Sequence, residues 1–153
     1  MTTPLFAKLN LKTRTEVLVL NAPGSFASQL AALQGVRVLR TIGKGLRVQF
    51  ALVFATSKAE LDTLSRKLAQ AAEGDAVLWF AYPKGTSKRY TCDFNRDSGW
   101  DVIRGEGFDS VRQVAIDDDW SALRFRRNEF IASAAAGTGR SGAAAPARGQ
   151  ESR

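Results

Sequence analysis

The fold is decided by residues 47–84, whose sequence is RVQFALVFA, then TSKAELDTLSRKLAQAAEG, then DAVLWFAYPK. The outer two blocks are apolar almost without alternation, which is typical of strands buried on both faces of a sheet. The middle block spaces its leucines as an amphipathic helix does, and Ser57 and Glu60 open it as a capping box. The stretch predicts a parallel β-α-β crossover, and therefore an α/β fold with helices on both sides of the sheet.

The rest of the chain supplies further strands and helices around this unit. Apolar runs and turn residues predict strands over 16–22, 36–42, 48–55, 76–82, 110–116 and 121–127, and helices over 26–34, 57–73 and 97–105. Ser25 is placed as the N-cap of the first of these helices. Only residues 117–120 separate the last two strands, so we expect an antiparallel hairpin. The predicted fold class is a Rossmann-like three-layer α/β fold, mostly parallel, with a C-terminal antiparallel hairpin.

Length and composition bound the class of protein. A chain of 153 residues with 44% hydrophobic residues predicts one Rossmann-like domain with its own core, over residues 1–130. Residues 131–153 are rich in Ala, Gly, Ser and Arg and offer no apolar face, so they predict a disordered tail. The chain has no histidine and a single cysteine, Cys92. This composition excludes Ser-His and Cys-His catalysis, an intrachain disulfide and a cysteine-based zinc site.

Charge and hydropathy give expectations about partners and compartment. The net charge is +7, but the lysines and arginines are scattered along the sequence. Such a surface permits nucleic-acid binding and is more often simply solvated, so nucleic acid is a partner that the sequence allows and does not favour. The N-terminus lacks the order of a signal peptide, and no apolar run reaches the roughly 20 residues of a membrane span. We therefore expect a cytoplasmic protein without a membrane partner.

Four stretches of the sequence resemble a known family: EVLVLNAP (16–23), DAVLWFAYPKGTSK (75–88), GWD (99–101) and AIDDDWSALRFR (115–126). They are similar to a family of small bacterial cytosolic proteins of unknown function. The order of predicted elements resembles the class I S-adenosylmethionine (SAM) methyltransferase fold, whose sheet ends in an antiparallel last strand. One helix-strand-helix unit of that fold is missing between Ile42 and Val48. The resemblance implies a truncated methyltransferase-like scaffold, with SAM as its cofactor if it is an enzyme.

Two features expected of a SAM methyltransferase are absent from the sequence. The turn after the first strand, glycine-rich in those enzymes, contains Pro23 and a single glycine, Gly24. The second strand is followed by Thr41 and Lys44, without the carboxylate that holds ribose hydroxyls. These departures favour a scaffold without methyl-transfer activity.

The candidate ligand site follows from the topology, because open parallel sheets bind ligands beyond the carboxyl ends of their strands. The loop 83–89, PKGTSKR, combines hydroxyls, a flexible glycine and cations, which suits a phosphate or carboxylate ligand. It lacks the spacing of a nucleoside-triphosphate P-loop. A capped helix at Ser25 and a solvated loop at 83–89 are the competing interpretations. The predicted ligand-binding residues are Asn21, Gly24, Ser25, Thr56, Tyr82, Lys84, Thr86, Ser87 and Lys88.

Acidic and aromatic residues near the C-terminus favour structural roles. The consecutive carboxylates of residues 117–119 point in different directions, so they fit a hairpin turn better than a metal site, and no metal is predicted. Trp79, Trp100 and Trp120 are expected to pack in or beside the core, with a place in a ligand crevice as the alternative for Trp120.

Three functions remain open at this point. The favoured hypothesis is a non-catalytic module that binds a small anionic ligand or a protein partner at a crevice between residues 21–25 and 84–88. The alternatives are a SAM-dependent methyltransferase and a nucleic-acid accessory protein that uses the basic surface. The sequence predicts no catalytic residue, and leaves the oligomeric state and the question of enzymatic activity undecided.

Overall fold

Six strands and five helices make up residues 3–137, the part of the chain that this computed structural model describes. The strands are β1 (Glu16–Leu20), β2 (Arg37–Leu39), β3 (Val48–Phe54), β4 (Ala72–Pro83), β5 (Phe108–Ala115) and β6 (Trp120–Arg127). The helices are α1 (Pro4–Lys8), α2 (Ala27–Ala31), α3 (Lys58–Ala71), α4 (Asp101–Gly105) and α5 (Asn128–Gly137), with a 3₁₀ turn over Gly24–Phe26. None of the helices in this part of the chain is long and apolar enough to cross a membrane.

The strands form one mixed sheet with the order β2-β1-β3-β4-β6-β5. The first four in this order are parallel, whereas β6 pairs antiparallel with β4 and with β5. The predicted fold class is therefore confirmed, including the crossover β3-α3-β4 and the terminal hairpin. Residues 40–47 connect β2 to β3 without a helix, at the position of the missing unit.

Each face of the sheet carries its own apolar layer, because alternate strand residues point to opposite faces. Leu18, Val53 and Phe80 belong to the layer that packs against α3 and α4. Phe54 and Trp79 belong to the layer on the opposite face, which packs against α1 and α2. The indole of Trp79 also donates a 2.7 Å hydrogen bond to the carbonyl of Leu9, just after α1. This bond fixes α1 to the centre of the sheet.

Two predicted local features are wrong. Ser25 does not cap a helix, because the chain turns at Pro23 and the amide of Phe26 donates to the carbonyl of Pro23 at 2.9 Å. Ser25 therefore lies inside a 3₁₀ turn. Helix α3 ends at Ala71 rather than at Gly74, and the chain enters β4 directly. Gly74 has φ +56° and lies where the pairing of β4 with β3 changes register.

The predicted disordered tail begins too early. Residues 131–137 belong to α5, which starts at Asn128 directly after β6. The Ala-rich sequence of these residues explains why they are helical, since alanine has the highest helix propensity. Gly137, the first glycine after β6, is the last residue of the helix. The prediction of disorder for residues 138–153 lies outside the described residues.

Candidate functional site

A cavity of about 280 Å³ lies at the carboxyl ends of β1 and β3. The strand order reverses between these two strands, and open α/β sheets bind ligands at such a switch point. Antiparallel β6 begins at this same end of the sheet, so its first residue, Trp120, reaches the cavity. We call it the switch-point cavity; its lining residues are Asn21, Pro23, Gly24, Phe54, Thr56, Glu60, Tyr90 and Trp120.

Glu60 is held at the switch-point cavity by groups from two strand ends. Its Oε1 accepts a 2.9 Å hydrogen bond from the amide of Thr56, and its Oε2 accepts a 3.5 Å bond from Nδ2 of Asn21. Asn21 has φ +60°, a left-handed conformation that asparagine tolerates. The two bonds leave acceptor capacity on the carboxylate, which has about four lone-pair sites. Glu60 can therefore accept hydrogen bonds from a ligand.

The predicted capping box forms in one direction. The amide of Glu60 donates to Oγ of Ser57 at 3.2 Å, as expected of an N-cap. The return bond goes elsewhere, because the Glu60 carboxylate accepts from Thr56 rather than from Ser57. Glu60 thus reaches one residue further toward the strand end, which places it in the cavity.

Trp120 lines the switch-point cavity and carries an unpaired, buried donor. Only 3% of the residue is exposed, and its indole Nε1 has no hydrogen-bond acceptor within residues 3–137. Its ring packs against Phe54 and Tyr90, with ring centroids 5.1 and 4.9 Å away. Burying an unsatisfied donor costs about 1–3 kcal/mol. An acceptor on a ligand that reached this buried nitrogen would remove that cost.

A second cavity, of about 600 Å³, adjoins the first on the side of β2. Asn21 and Glu60 line both cavities, so their hydrogen bond lies at the boundary between them. Arg40 and Thr41, which follow β2, also line this β2-side pocket. Among its described lining residues the one carboxylate is that of Glu60, which comes from α3 and not from the end of β2.

A larger groove, of about 860 Å³, lies beyond the carboxyl end of β4. We call it the β4-side groove. Tyr90 lines both this groove and the switch-point cavity. Burial raises the pKa of Tyr82 to about 12, although Gln113 donates a 3.0 Å hydrogen bond to its hydroxyl. Burial also raises the pKa of the Cys92 thiol. Both side chains are therefore protonated at neutral pH, and neither is a ready base or nucleophile.

The structure divides the predicted ligand-binding residues between these two sites. Those at the switch-point cavity are Asn21, Gly24 and Thr56; those at the β4-side groove are Tyr82, Lys84, Thr86 and Ser87. Ser25 and Lys88 are exposed and belong to neither lining. The segments 21–25 and 84–88 therefore line different cavities, and Tyr90 lines both of them.

Hydrogen bonds hold the loop 83–89 to the β5–β6 hairpin. The hydroxyl of Ser87 donates to Oδ1 of Asp119 at 2.9 Å and accepts from the amides of Arg89 and Tyr90. The amide of Lys84 donates to the carbonyl of Asp119 at 2.8 Å. The Ser87 hydroxyl is thus occupied by contacts within the protein, and this loop is an ordered wall of the groove.

The acidic run at 117–119 forms the predicted hairpin turn. Oδ1 of Asp117 accepts hydrogen bonds from the amides of Asp119 and Trp120, at 2.8 and 2.9 Å. Across residues 3–137, no three histidine, cysteine, aspartate or glutamate side chains are grouped as metal ligands. The turn also aligns Trp120 at the start of β6.

Glu60 and Tyr90 are site residues that the sequence did not single out for ligand binding. Glu60 carried a signal in its capping-box position, but that signal predicts a helix start and not a ligand contact. Tyr90 carried no signal, since its place depends on how the loop after β4 folds back. Trp120 lies at the cavity, which agrees with the alternative given for it.

Several solved structures with this fold are methyltransferases. The N-methyltransferase NodS from Bradyrhizobium japonicum WM9 matches with a TM-score of 0.52 and 12% identity, over 80% of this chain and 92% of that one. A SAM-dependent methyltransferase from Aquifex aeolicus matches with a TM-score of 0.54 and 12% identity, over 80% and 87%. Magnesium protoporphyrin IX methyltransferase from Synechocystis PCC 6803, with bound S-adenosylhomocysteine (SAH), matches with 0.53 and 12%, over 81% and 78%.

Sequence comparison adds no family to this result. No family model and no curated protein matches the chain. The resemblance to a family of small bacterial proteins therefore stays a prediction. At 12% identity the structural likeness establishes the fold alone: the chain has the Rossmann-like fold of the SAM-dependent methyltransferases.

Proposed function

We propose that this protein is a SAM-dependent methyltransferase that binds its cofactor across the switch-point cavity and the β2-side pocket. The observation that carries the proposal is the pairing of a ligand-accessible carboxylate, Glu60, with the unpaired indole N–H of Trp120 at the switch point of this fold. The two cavities share Asn21 and Glu60, and together they reach the several hundred Å³ that ligand pockets usually span.

The residues present suit an S-adenosyl ligand in three ways. Glu60 can accept hydrogen bonds from ribose hydroxyls, taking the part that a carboxylate after the second strand usually has. Nε1 of Trp120 can donate to an acceptor of the ligand. The rings of Phe54, Tyr90 and Trp120 offer faces that attract a sulfonium cation. When bound, SAM supplies an electrophilic methyl group.

The β4-side groove is the proposed entry for the methyl acceptor. Tyr90 separates it from the switch-point cavity, so an acceptor in the groove would meet the cofactor beside this ring. The groove carries both signs of charge, from Lys84, Arg96, Asp93 and Asp97, which suits a polar acceptor. Because Tyr82 keeps its proton, the acceptor must arrive as a competent nucleophile or lose its proton to another base.

A second candidate is ligand binding without methyl transfer, as the sequence favours. Arg40 and Thr41 occupy the end of β2, where a carboxylate would strengthen the hold on ribose. Pro23 removes one backbone donor from the turn after β1. No lysine or arginine is among the described residues that line the switch-point cavity, so a small anionic ligand would have to use Lys84 or Arg96 in the groove, or Arg40 and Lys67 in the β2-side pocket.

Calorimetric titration of the full chain with SAH tests the proposal. We expect binding, and we expect Glu60→Gln to weaken it about tenfold, the usual effect of replacing a charged hydrogen-bond acceptor by a neutral one. Trp120→Phe keeps an aromatic ring and should also weaken binding. Glu73→Gln is the matched control, because Glu73 lies at the amino end of β4, away from the carboxyl ends of the strands where the cavity is.

The outcomes separate the two candidates. Absence of SAH binding at millimolar concentration would overturn the methyltransferase proposal. Binding that Glu60→Gln leaves unchanged would place the ligand elsewhere. If SAH binds, transfer of a tritiated methyl group from SAM to extracted metabolites, proteins or nucleic acids distinguishes an enzyme from a binding module. No labelled product from any fraction would favour the module.

A further inference from the structure

A second unpaired donor lies on β6, away from the switch-point cavity. Nε of Arg124 is buried and has no hydrogen-bond acceptor among the described residues. Trp120, Ala122 and Arg124 lie on one face of β6, because alternate residues share a face. In the sheet pairing, Arg124 is opposite Trp79 of β4 and Arg112 of β5. A buried Nε–H group without an acceptor is costly. A bound ligand could supply that acceptor.

Three further arginines and one carboxylate contribute to the electrostatic environment of Arg124. Arg112 lies directly opposite Arg124 in the β5–β6 ladder, and Arg126 follows two residues later on the same face. The Arg126 hydrogen bond is the main cause of the lowered pKa of Asp75, and burial is the main cause of the lowered pKa of Arg124; the charge of Arg14, between α1 and β1, is a minor cause of both. Nη1 of Arg14 donates to the carbonyls of Asn10 and Leu11 at 3.1 and 3.3 Å. The cluster therefore carries a local excess of positive charge. We call these four arginines the arginine face.

The carboxylate of the cluster, Asp75, is already paired with Arg126. Oδ1 and Oδ2 of Asp75 accept from Nε and a terminal nitrogen of Arg126 at 2.8 and 2.6 Å, a two-bond ion pair. This pairing is consistent with the raised pKa of Arg126, whose largest cause is that hydrogen bond. Asp75 is thus the ion-pair partner of Arg126. Neither Arg112 nor Arg124 has an ion-pair partner in the part of the chain described.

The arrangement works against the stability of the empty protein. Like charges directly opposite in an antiparallel ladder are destabilising, and Arg112 and Arg124 occupy such positions. Burial, and then the charge of Arg126, lower the pKa of Arg124, which reports the same unfavourable environment. An anion bound between the two guanidinium groups would supply the missing acceptor and the missing negative charge together.

We propose that Arg112 and Arg124 bind a single phosphate-type oxyanion on the face of the β5–β6 hairpin. Guanidinium groups match the geometry of phosphate with paired hydrogen bonds. The two arginines occupy one pair of opposite positions in the ladder, which fits one phosphate group rather than a track along a nucleic-acid backbone. This site lies apart from the switch-point cavity and does not depend on the proposed methyltransferase function.

Thermal unfolding of the full chain with inorganic phosphate tests this site. Arg124→Gln removes the unpaired donor, and Arg112→Gln removes an exposed partner whose replacement leaves the core intact. Arg37→Gln is the matched control, because Arg37 is exposed on β2 at the other edge of the sheet. We expect phosphate to raise the melting temperature of the wild type and of Arg37→Gln. The affinity derived from these shifts should fall about tenfold or more in Arg112→Gln and Arg124→Gln.

Each outcome decides the proposal. Phosphate stabilises many proteins through exclusion from their surfaces, and that effect would raise all four melting temperatures equally, which would overturn the site. A shift confined to the wild type and Arg37→Gln supports it. If Arg124→Gln fails to fold, Arg112→Gln alone gives the answer. Binding of a single-stranded oligonucleotide without any specific phosphate effect would overturn the single-anion site in favour of a nucleic-acid surface.

Discussion

Gly99 allows the segment before α4 to approach the aromatic cluster beneath the β4-side groove, so Gly99→Ala should destabilise the protein for two separable reasons. Its φ of +99° costs a residue with a side chain about 1–2 kcal/mol. A Cβ at this position would lie 2.7 Å from Cβ of Phe94, whose ring packs edge-on against Trp100 with centroids 5.4 Å apart. Relieving such an overpacked contact costs about 1–3 kcal/mol. Together these effects predict a loss of about 2–5 kcal/mol.

Gly107→Ala isolates the first reason from the second. Gly107 has nearly the same φ, +96°, and a Cβ there would meet nothing within 4 Å in the described structure. Its substitution should cost the backbone strain alone, about 1–2 kcal/mol. For a domain of this size each kcal/mol lowers the melting temperature by about 2–4 °C. Thermal and urea unfolding should therefore place Gly99→Ala several degrees below Gly107→Ala. Equal melting temperatures would refute the reasoning, since they would mean that Phe94 moves aside at no cost.

Two further predictions concern ion pairing and the loop 83–89. The Arg126 hydrogen bond lowers the pKa of Asp75, so the stability from this pair is present above pH 3.8 and is lost as pH falls through the lower folded value. Between about pH 5 and pH 2 the free energy of unfolding of the wild type, measured in urea, should fall by about 1 kcal/mol more than that of Asp75→Asn. If the two free energies fell in parallel with pH, this prediction would be contradicted. Ser87→Ala removes a hydrogen bond to Asp119 and should lower the free energy of unfolding by about 1 kcal/mol, with faster amide exchange in the loop. Thr86→Ala is the exposed control, and equal exchange in the two variants would mean that Ser87 does not hold the loop.

The fold was predictable where burial alone determines structure. The crossover over residues 47–84 is apolar on both strands, and that pattern fits only a sheet covered on two faces. The ends of elements were less predictable, because they depend on partners distant in sequence. Helix α3 ends at Ala71 since β4 begins pairing with Val48 at Ala72, and nothing near Gly74 in the sequence encodes that register. Ser25 failed as an N-cap because Pro23 set the turn.

The location of the candidate site could be predicted from the sequence better than the side chains that line it. Asn21 and Thr56 follow from topology, since each directly follows a parallel strand at the switch point. Trp120 comes to the same place only because β6 runs antiparallel and begins there. Ser87 was predicted as a ligand contact because hydroxyls beside cations suit an anionic ligand, whereas the structure shows its hydroxyl bonded to Asp119 of the hairpin turn. Partners of this kind are long-range, and a single sequence does not reveal them.

The two unpaired donors of β6 define two sites that experiment can separate. Trp120 and Arg124 lie four residues apart on one face of one strand, so about 13 Å separates their backbone positions. Substitutions at such a distance usually act independently. Glu60→Gln should therefore weaken SAH binding and leave the phosphate effect intact, and Arg112→Gln should do the reverse. If instead Arg112→Gln weakened SAH binding as much as Glu60→Gln does, the two sites would not be independent, and a separate anion site on the β5–β6 hairpin would be contradicted.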